Sequence, residues 1–167
     1  MNKPREALQP ALFDRLQDDE PTKPQESSRK RMMSKEELRA VVLRDLEQLL
    51  NATRIIDSTL SKRWPQLEGT VLAYGMPPIA GKVASSVDVK DFERTVASTI
   101  KQFEPRIDPA SLTVQAESQQ GLMHLHNVIG LRISGLLWAQ PYPIELMLRT
   151  EIDLETGRVA LLPLSGF

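Results

Sequence analysis

The chain has no cysteine among its 167 residues, which excludes disulfides, cysteine-ligated zinc and a thiol nucleophile. Aromatic residues make up only 5% of the sequence, so the core must be built mainly from leucine, isoleucine and valine. The net charge is −1, which removes the strong electrostatic attraction on which non-specific nucleic-acid binding depends. We therefore expect no nucleic-acid partner.

The sequence also has no long apolar run. No segment approaches the roughly 18–20 apolar residues that a membrane helix requires. The first six residues, MNKPRE, have no apolar stretch behind their charges, so they do not read as a signal peptide. We expect a soluble, cytoplasmic protein without membrane insertion.

The charges are unevenly spread along the chain. Residues 29–63 contain nine Lys or Arg against five Asp or Glu, whereas residues 145–167 contain two against four. A basic early part and an acidic C-terminal part favour docking between proteins over a groove for a polyanion.

The first residues separate into an apolar and a polar part. Leu8, Leu12 and Leu16 recur at intervals of four, with Phe13 beside them. These apolar residues would lie on one face of a short helix formed by residues 7–16. Such a segment either docks on a partner or folds back on its own domain, and the sequence favours neither.

The polar stretch that follows predicts a linker. Residues 17–31 contain prolines, serines and a basic cluster, and they cannot bury enough apolar surface to become ordered. We therefore divide the chain into a flexible arm, residues 1–31, and a single α+β domain, residues 32–167.

Two amphipathic helices are predicted in this domain. Ser34 and Glu37 form a capping box before a helix over residues 35–50. A second helix starts at Asp88 and ends near residue 103 or 104, because Pro105 disfavours helical geometry in the residue before it. Between the helices, we expect residues 70–75 to be a short extended piece and residues 76–81 to be a loop.

After Pro109 the apolar period changes from that of a helix to that of a strand. Alternation predicts four short strands, near residues 112–116, 129–133, 144–148 and 159–161, with turns at 140–143 and 153–157. The predicted fold class is α+β, with two amphipathic helices packed on a C-terminal antiparallel sheet of about four strands.

The sequence carries little that resembles a catalytic or metal site. His124 and His126 form a His-X-His pattern, but a metal site needs further ligands, so we expect no metal and no cofactor. Glu104 paired with Asp108, Glu145 or Glu151 is the only arrangement that suggests a glycosidase, and nothing sets the required separation. Motifs for an activated serine or a phosphate-binding loop are absent. We expect neither an enzyme nor a small-molecule substrate.

The most specific local motif is Glu104-Pro105-Arg106 at the end of the second helix. The proline ring fixes its own φ and forces the chain out of the helix, so the two charged residues lie in a stiff corner. They can form a bidentate pair with each other, or each can reach a separate partner. An exposed pair would contribute only about 0–1 kcal/mol to stability.

At this motif the sequence resembles TssE, the family of baseplate wedge subunits of type VI secretion systems, and the related wedge proteins of contractile phages. The pieces that carry the resemblance follow the family's order: residues 12–16 (LFDRL), 44–51 (RDLEQLLN), 71–75 (VLAYG), 103–106 (FEPR) and 151–157 (EIDLETG). Ala73 and the run 76–78 depart from the usual pattern of the family.

The resemblance implies a structural role in a cytoplasmic baseplate. Its partners would be the baseplate subunits TssF, TssG and TssK and the sheath proteins TssB and TssC. Glu104, Pro105 and Arg106 would make assembly contacts. From their own pattern we expect Leu12, Phe13 and Leu16 of the arm to bind a partner, and the open edge of the C-terminal strands to add to strands of neighbouring subunits. The alternative is a murein-cleaving, lysozyme-like enzyme, since some members of the family have been called lysozyme-like.

Overall fold

The computed structural model describes Asp14, Leu16, Thr22 and residues 33–81, 87–117, 127–139 and 142–164. In the described part, helices precede a sheet of four antiparallel strands that lie side by side in chain order. This arrangement confirms the predicted α+β class. Most of the proposed arm, His124 and His126 lie outside the described residues. No helix in the described ranges has the length and apolarity needed to cross a membrane.

Helix α1 spans Lys35–Asn51 and begins with the predicted capping box. The Glu37 N–H donates to the Ser34 hydroxyl at 3.1 Å, and the Glu37 carboxylate accepts from the Ser34 N–H at 2.7 Å. These two bonds satisfy backbone N–H groups that have no partner inside a helix. The apolar stripe faces the core, where its buried members are Leu38, Val42, Leu46, Leu49 and Leu50.

The second predicted helix, which is α3 in chain order, spans Val89–Phe103. Asp88 caps it by accepting from the N–H groups of Lys90 and Asp91. Its buried apolar residues Phe92, Val96 and Ile100 join the same core as the stripe of α1. The helix ends one residue before Glu104, as predicted from Pro105.

The sheet is formed by β1 (Thr113–Ala116), β2 (Val128–Leu137), β3 (Ile144–Asp153) and β4 (Val159–Pro163). Alternation places one face of the central strands in the core, with Ile133 opposite Leu148 and Ile129 opposite Ile152. The strands β2 and β3 are longer than predicted. The turn at 153–157 is confirmed, and Asp153 caps it by accepting from the N–H groups of Glu155 and Thr156 and from the Thr156 hydroxyl.

Side chains from the two long helices bind backbone groups at both edges of the sheet. The Asn51 amide donates to the Val159 carbonyl at 2.9 Å and accepts from the Val159 N–H at 3.0 Å, as a residue of a neighbouring strand would. The Glu93 carboxylate accepts from the Ala116 N–H on β1 at 2.5 Å. These bonds satisfy part of the unpaired backbone that an edge strand exposes.

The segment between α1 and α3 differs from the prediction. It contains helix α2 (Ser58–Arg63) and two 3₁₀ helices, Pro65–Gly69 and Val71–Ala73. The extended piece predicted over residues 70–75 is therefore wrong. The Thr70 hydroxyl accepts from the Leu72 N–H and begins the second 3₁₀ turn, so a local cap outweighs the β propensity of the apolar residues.

Gly75 fixes the position of this segment against the end of α1. It has φ of +105°, and a Cβ at this position would lie 2.4 Å from the Ala52 carbonyl oxygen. The close approach allows the Met76 N–H to donate to that same oxygen at 2.8 Å and forms a parallel bridge between Thr53 and Met76. The bridge holds Tyr74 beside the C-terminal half of α1.

Candidate protein-interaction site

The corner at residues 104–106 is built by the end of α3. The Glu104 N–H donates to the Ile100 carbonyl at 2.8 Å as the last helical bond, and the backbone then leaves the helix at φ −118° and ψ 81°. This geometry lies outside the helical region, which a following proline disfavours for the residue before it. Glu104 is buried, Pro105 is exposed and Arg106 lies between these limits. We call these three residues the Glu-Pro-Arg corner.

Within the corner, Glu104 and Arg106 pair with each other. The Arg106 Nε donates to Glu104 Oε1 at 2.7 Å, its Nη2 donates to Oε2 at 2.5 Å, and its backbone N–H donates to Oε1 at 3.1 Å. Of the two arrangements that the sequence left open, the structure has the internal bidentate pair. Because the Glu104 side chain is only 5% exposed, this pair differs from an ordinary surface ion pair.

Arg106 also connects the corner to α1. Its Nη2 donates to Asp45 Oδ2 at 2.6 Å, and Asp45 Oδ1 accepts from Arg44 at 2.8 and 3.0 Å. Arg44 in turn donates to both carboxylate oxygens of Asp14, at 2.7 and 3.3 Å. We call this series of alternating charges, which runs from Glu104 to Asp14, the ion-pair chain.

The ion-pair chain stabilises the charged form of both arginines. Burial by itself lowers the pKa of Arg106, but the hydrogen bonds to Glu104 and Asp45 outweigh burial, so the pKa is raised above its usual value. The pKa of Arg44 is also raised, mainly by its hydrogen bond to Asp14 and then by the bond to Asp45. Both side chains therefore remain cations near physiological pH.

Beside the corner lies an open groove of about 390 Å³ between the ends of α1 and α3. Tyr74 and Phe103 form one wall as an edge-to-face pair, with ring centroids 5.4 Å apart and an interplanar angle of 73°. We call this cavity the Tyr74 groove. Its lining consists of Asp45, Gln48, Leu49, Tyr74, Phe103, Glu104, Pro105 and Arg106.

The Tyr74 hydroxyl lies in a partly desolvated and negative environment. Burial raises the pKa of Tyr74, and the charges of Asp45 and Glu104 raise it further. The tyrosine therefore stays neutral near physiological pH, and the residue as a whole is 38% exposed. A neutral hydroxyl can both donate and accept a hydrogen bond.

Only part of the predicted arm site falls among the described residues. Leu12 and Phe13 lie outside them, whereas Leu16 is described and 76% exposed. Asp14, between these residues, is bound to Arg44 and has only 18% of its side chain exposed. This contact could not be predicted from the sequence, because a pair of charges 30 residues apart carries no local pattern.

The structure gives no support to a pair of catalytic carboxylates. Glu104 is bound to Arg106, Glu151 is paired with Arg149 at 3.8 Å, and Asp108 caps the N–H of Ala110. Among the described residues, no side chain binds both the Glu104 carboxylate and the carboxylate of Asp108, Glu145 or Glu151. No group of three His, Cys, Asp or Glu that could hold a metal occurs in that part of the chain.

Comparison with known proteins agrees with the resemblance noted in the sequence. The family model described as baseplate wedge protein gp25 matches residues 36–142, a span that includes α1 from its second residue, α3, the Glu-Pro-Arg corner and β2. Neither the curated proteins nor the solved structures contain a match. Since the family match covers more than half of the chain, the protein belongs to the baseplate wedge gp25 family, whose role is structural.

Proposed function

We propose that the protein is the TssE-type wedge subunit of a type VI secretion baseplate, on which a contractile sheath is built. Membership of the baseplate wedge family carries this proposal, since it supports a structural role in a phage-like baseplate. The ordered pieces that resemble TssE, from residues 12–16 to residues 151–157, favour the secretion system over a phage tail. The function is assembly in the cytoplasm without catalysis.

The Glu-Pro-Arg corner is the first proposed contact surface. Pro105 is exposed at its tip, and the buried Glu104 holds Arg106 in one orientation through three hydrogen bonds. A rigid, preorganised surface loses little conformational entropy when a partner binds. We propose that the corner and the Tyr74 groove contact the baseplate subunits TssF, TssG and TssK.

The edge of β4 is the second proposed surface. The backbone N–H and carbonyl of Val159 point away from β3 and bind Asn51. Because every second residue of an antiparallel strand points its backbone groups to the same side, those of Leu161 and Pro163 also point away from β3. Leu161 then offers an N–H and a carbonyl, and Pro163 offers a carbonyl alone. We propose that a strand of the sheath proteins TssB and TssC pairs with this part of the edge.

The arm supplies the third proposed surface. Leu16 is exposed, and with Leu12 and Phe13 it gives the apolar side of residues 7–16. We propose that this side binds a baseplate partner while Asp14 contacts Arg44. Deletion of residues 1–31 should reduce co-purification of partners and change the thermal midpoint little, if the arm binds a partner and not its own core as we propose.

Affinity purification of the tagged protein from its own cells tests the proposal. We expect the other baseplate subunits to co-purify with the wild-type protein and with Arg94→Ala, and to be lost with Arg106→Ala. Arg94 is a suitable control because it lies on α3 in an exposed pair with Asp91 at 3.4 Å. Absence of every baseplate subunit from the wild-type eluate would refute the proposed function.

A further inference from the structure

The Tyr74 groove has an excess of negative charge. Its lining contains the carboxylates of Asp45 and Glu104 and a single cation, Arg106. The whole ion-pair chain, which adds Arg44 and Asp14, has three carboxylates against two guanidinium groups. Among the described residues, the lining and the whole ion-pair chain each sum to one net negative charge, with Asp45 shared between Arg106 and Arg44.

The cation in the groove is already occupied. Arg106 donates from Nε and Nη2 to Glu104 and also from Nη2 to Asp45. An anion that approached Arg106 would meet two carboxylates that bind the same guanidinium, and their repulsion opposes its binding. A cation would be attracted by both carboxylates.

The remaining walls of the groove are suited to a side chain that has an apolar stem and a charged tip. Tyr74, Phe103 and Pro105 supply apolar surface, and the partly exposed ring of Tyr74 can accept a cation over its face. The exposed side chain of Gln48 and the Tyr74 hydroxyl make no hydrogen bonds within the part of the chain that the structure describes. Both are available to a ligand.

From this geometry we propose that the Tyr74 groove receives a basic side chain, arginine or lysine, from a neighbouring protein subunit. The stem would lie along Tyr74 and Pro105, and the charged tip would face Asp45 and Glu104. The proposal rests on the proposed function in one respect, since it takes the corner as a contact between subunits. It adds the chemistry of the partner residue.

Titration with model side chains tests the proposal on the intact protein. N-acetyl-arginine amide is added while the NMR signals of the Gln48 side-chain amide and the Phe103 ring are followed. We expect saturable shifts with this probe, and weaker binding of N-acetyl-norleucine amide, which has the stem without the charge. Equal binding of the norleucine probe, tighter binding of N-acetyl-glutamate amide, or no saturable shift with the arginine probe would overturn the proposal.

Gln48 allows the charge of the groove to be changed without touching the ion-pair chain. At low salt, Gln48→Glu should tighten binding of the arginine probe by about fivefold and Gln48→Lys should weaken it by a similar factor, with smaller effects at high salt. Tyr74→Leu should weaken binding by about two- to fivefold, whereas Tyr74→Phe should retain it. Insensitivity to the charge at position 48 would contradict the proposal.

A parallel purification separates this proposal from the proposed function. Gln48→Lys should reduce co-purification of baseplate subunits, and Gln115→Lys is the matched control because Gln115 is an exposed glutamine on β1. If Gln48→Lys and the wild type recover the subunits equally, the basic-residue site is wrong and the proposed function stands. If the wild type recovers none, the proposed function is wrong, whatever the probes show.

Discussion

Replacement of Glu104 by alanine tests how much the Glu-Pro-Arg corner contributes to the folded domain. The substitution removes three hydrogen bonds, all of them from Arg106, at a site where the carboxylate is 5% exposed. Removal of one partner of a buried ion pair typically costs about 3–5 kcal/mol. Arg106 keeps Asp45 and is 26% exposed, so its charge is not left without a partner.

We therefore expect Glu104→Ala to lower the free energy of unfolding by about 2–3 kcal/mol, below the usual range for a fully buried pair. For a domain of this size, the thermal midpoint should fall by about 5–10 °C. Glu104→Gln keeps the shape and part of the hydrogen bonding, so it should lie between alanine and the wild type.

Thermal unfolding followed by circular dichroism measures these changes. Arg94→Ala is the control, since it removes a charge from an exposed pair on the same helix and should shift the midpoint by no more than about 2 °C. If Glu104→Ala melts as the control does, the pair does not stabilise the corner, and the preorganised surface that we infer from it is wrong.

Three further predictions concern the elements around the site. Asn51→Ala should lower the free energy of unfolding by about 1–3 kcal/mol and speed amide exchange at Val159, because both backbone groups of Val159 lose their partner. An unchanged exchange rate at the Val159 amide in a hydrogen-exchange experiment would contradict this prediction. Gly75→Ala should lower the thermal midpoint strongly, since φ is +105° and the added Cβ would overlap a backbone carbonyl; a wild-type midpoint would show that the segment can move aside. Because folding raises the pKa of Tyr74, its contribution to stability is complete below the unfolded pKa near 10 and is lost as the pH rises through the folded value. Chemical denaturation across this range should show that the free energy of unfolding falls more steeply with pH for the wild type than for Tyr74→Phe. Equal dependence on pH in the two proteins would contradict this prediction.

The long helices and strands of this fold could be predicted because each has an apolar period that is visible among residues close together in the sequence. Ser34 and Glu37 identify the start of α1, and Pro105 identifies the end of α3, since capping and proline geometry depend on neighbours in sequence. The strand alternation after Pro109 likewise predicted the correct number of strands.

The segment between the helices could not be predicted in the same way. Helix α2 has only six residues, STLSKR, too few to show an apolar period. The position of Tyr74 depends on the bridge between Thr53 and Met76 and on the close contact at Gly75, both of which are tertiary. The prediction of an extended conformation at residues 70–75 was wrong for this reason.

The corner was predicted as a motif, but its partners were not. Arg106 contacts Asp45 across 61 positions of the sequence, and Arg44 contacts Asp14 across 30. Opposite charges are common on a protein surface, so nothing local distinguishes these pairs from the other possible ones. The alternating order of charges in the ion-pair chain is formed only when α1 and α3 pack together.

Sheath assembly in cells shows whether the protein builds a baseplate through the Glu-Pro-Arg corner. Cells that lack the protein and carry a fluorescent sheath subunit are complemented with the wild type, Arg94→Ala or Arg106→Ala, and sheath foci are counted after folding of each purified variant is checked by circular dichroism. We predict foci with the wild type and with Arg94→Ala, and none with Arg106→Ala or without the protein. Normal numbers of foci in cells that lack the protein would show that sheath assembly does not need it, and normal numbers with a folded Arg106→Ala variant would show that the corner is not a required contact.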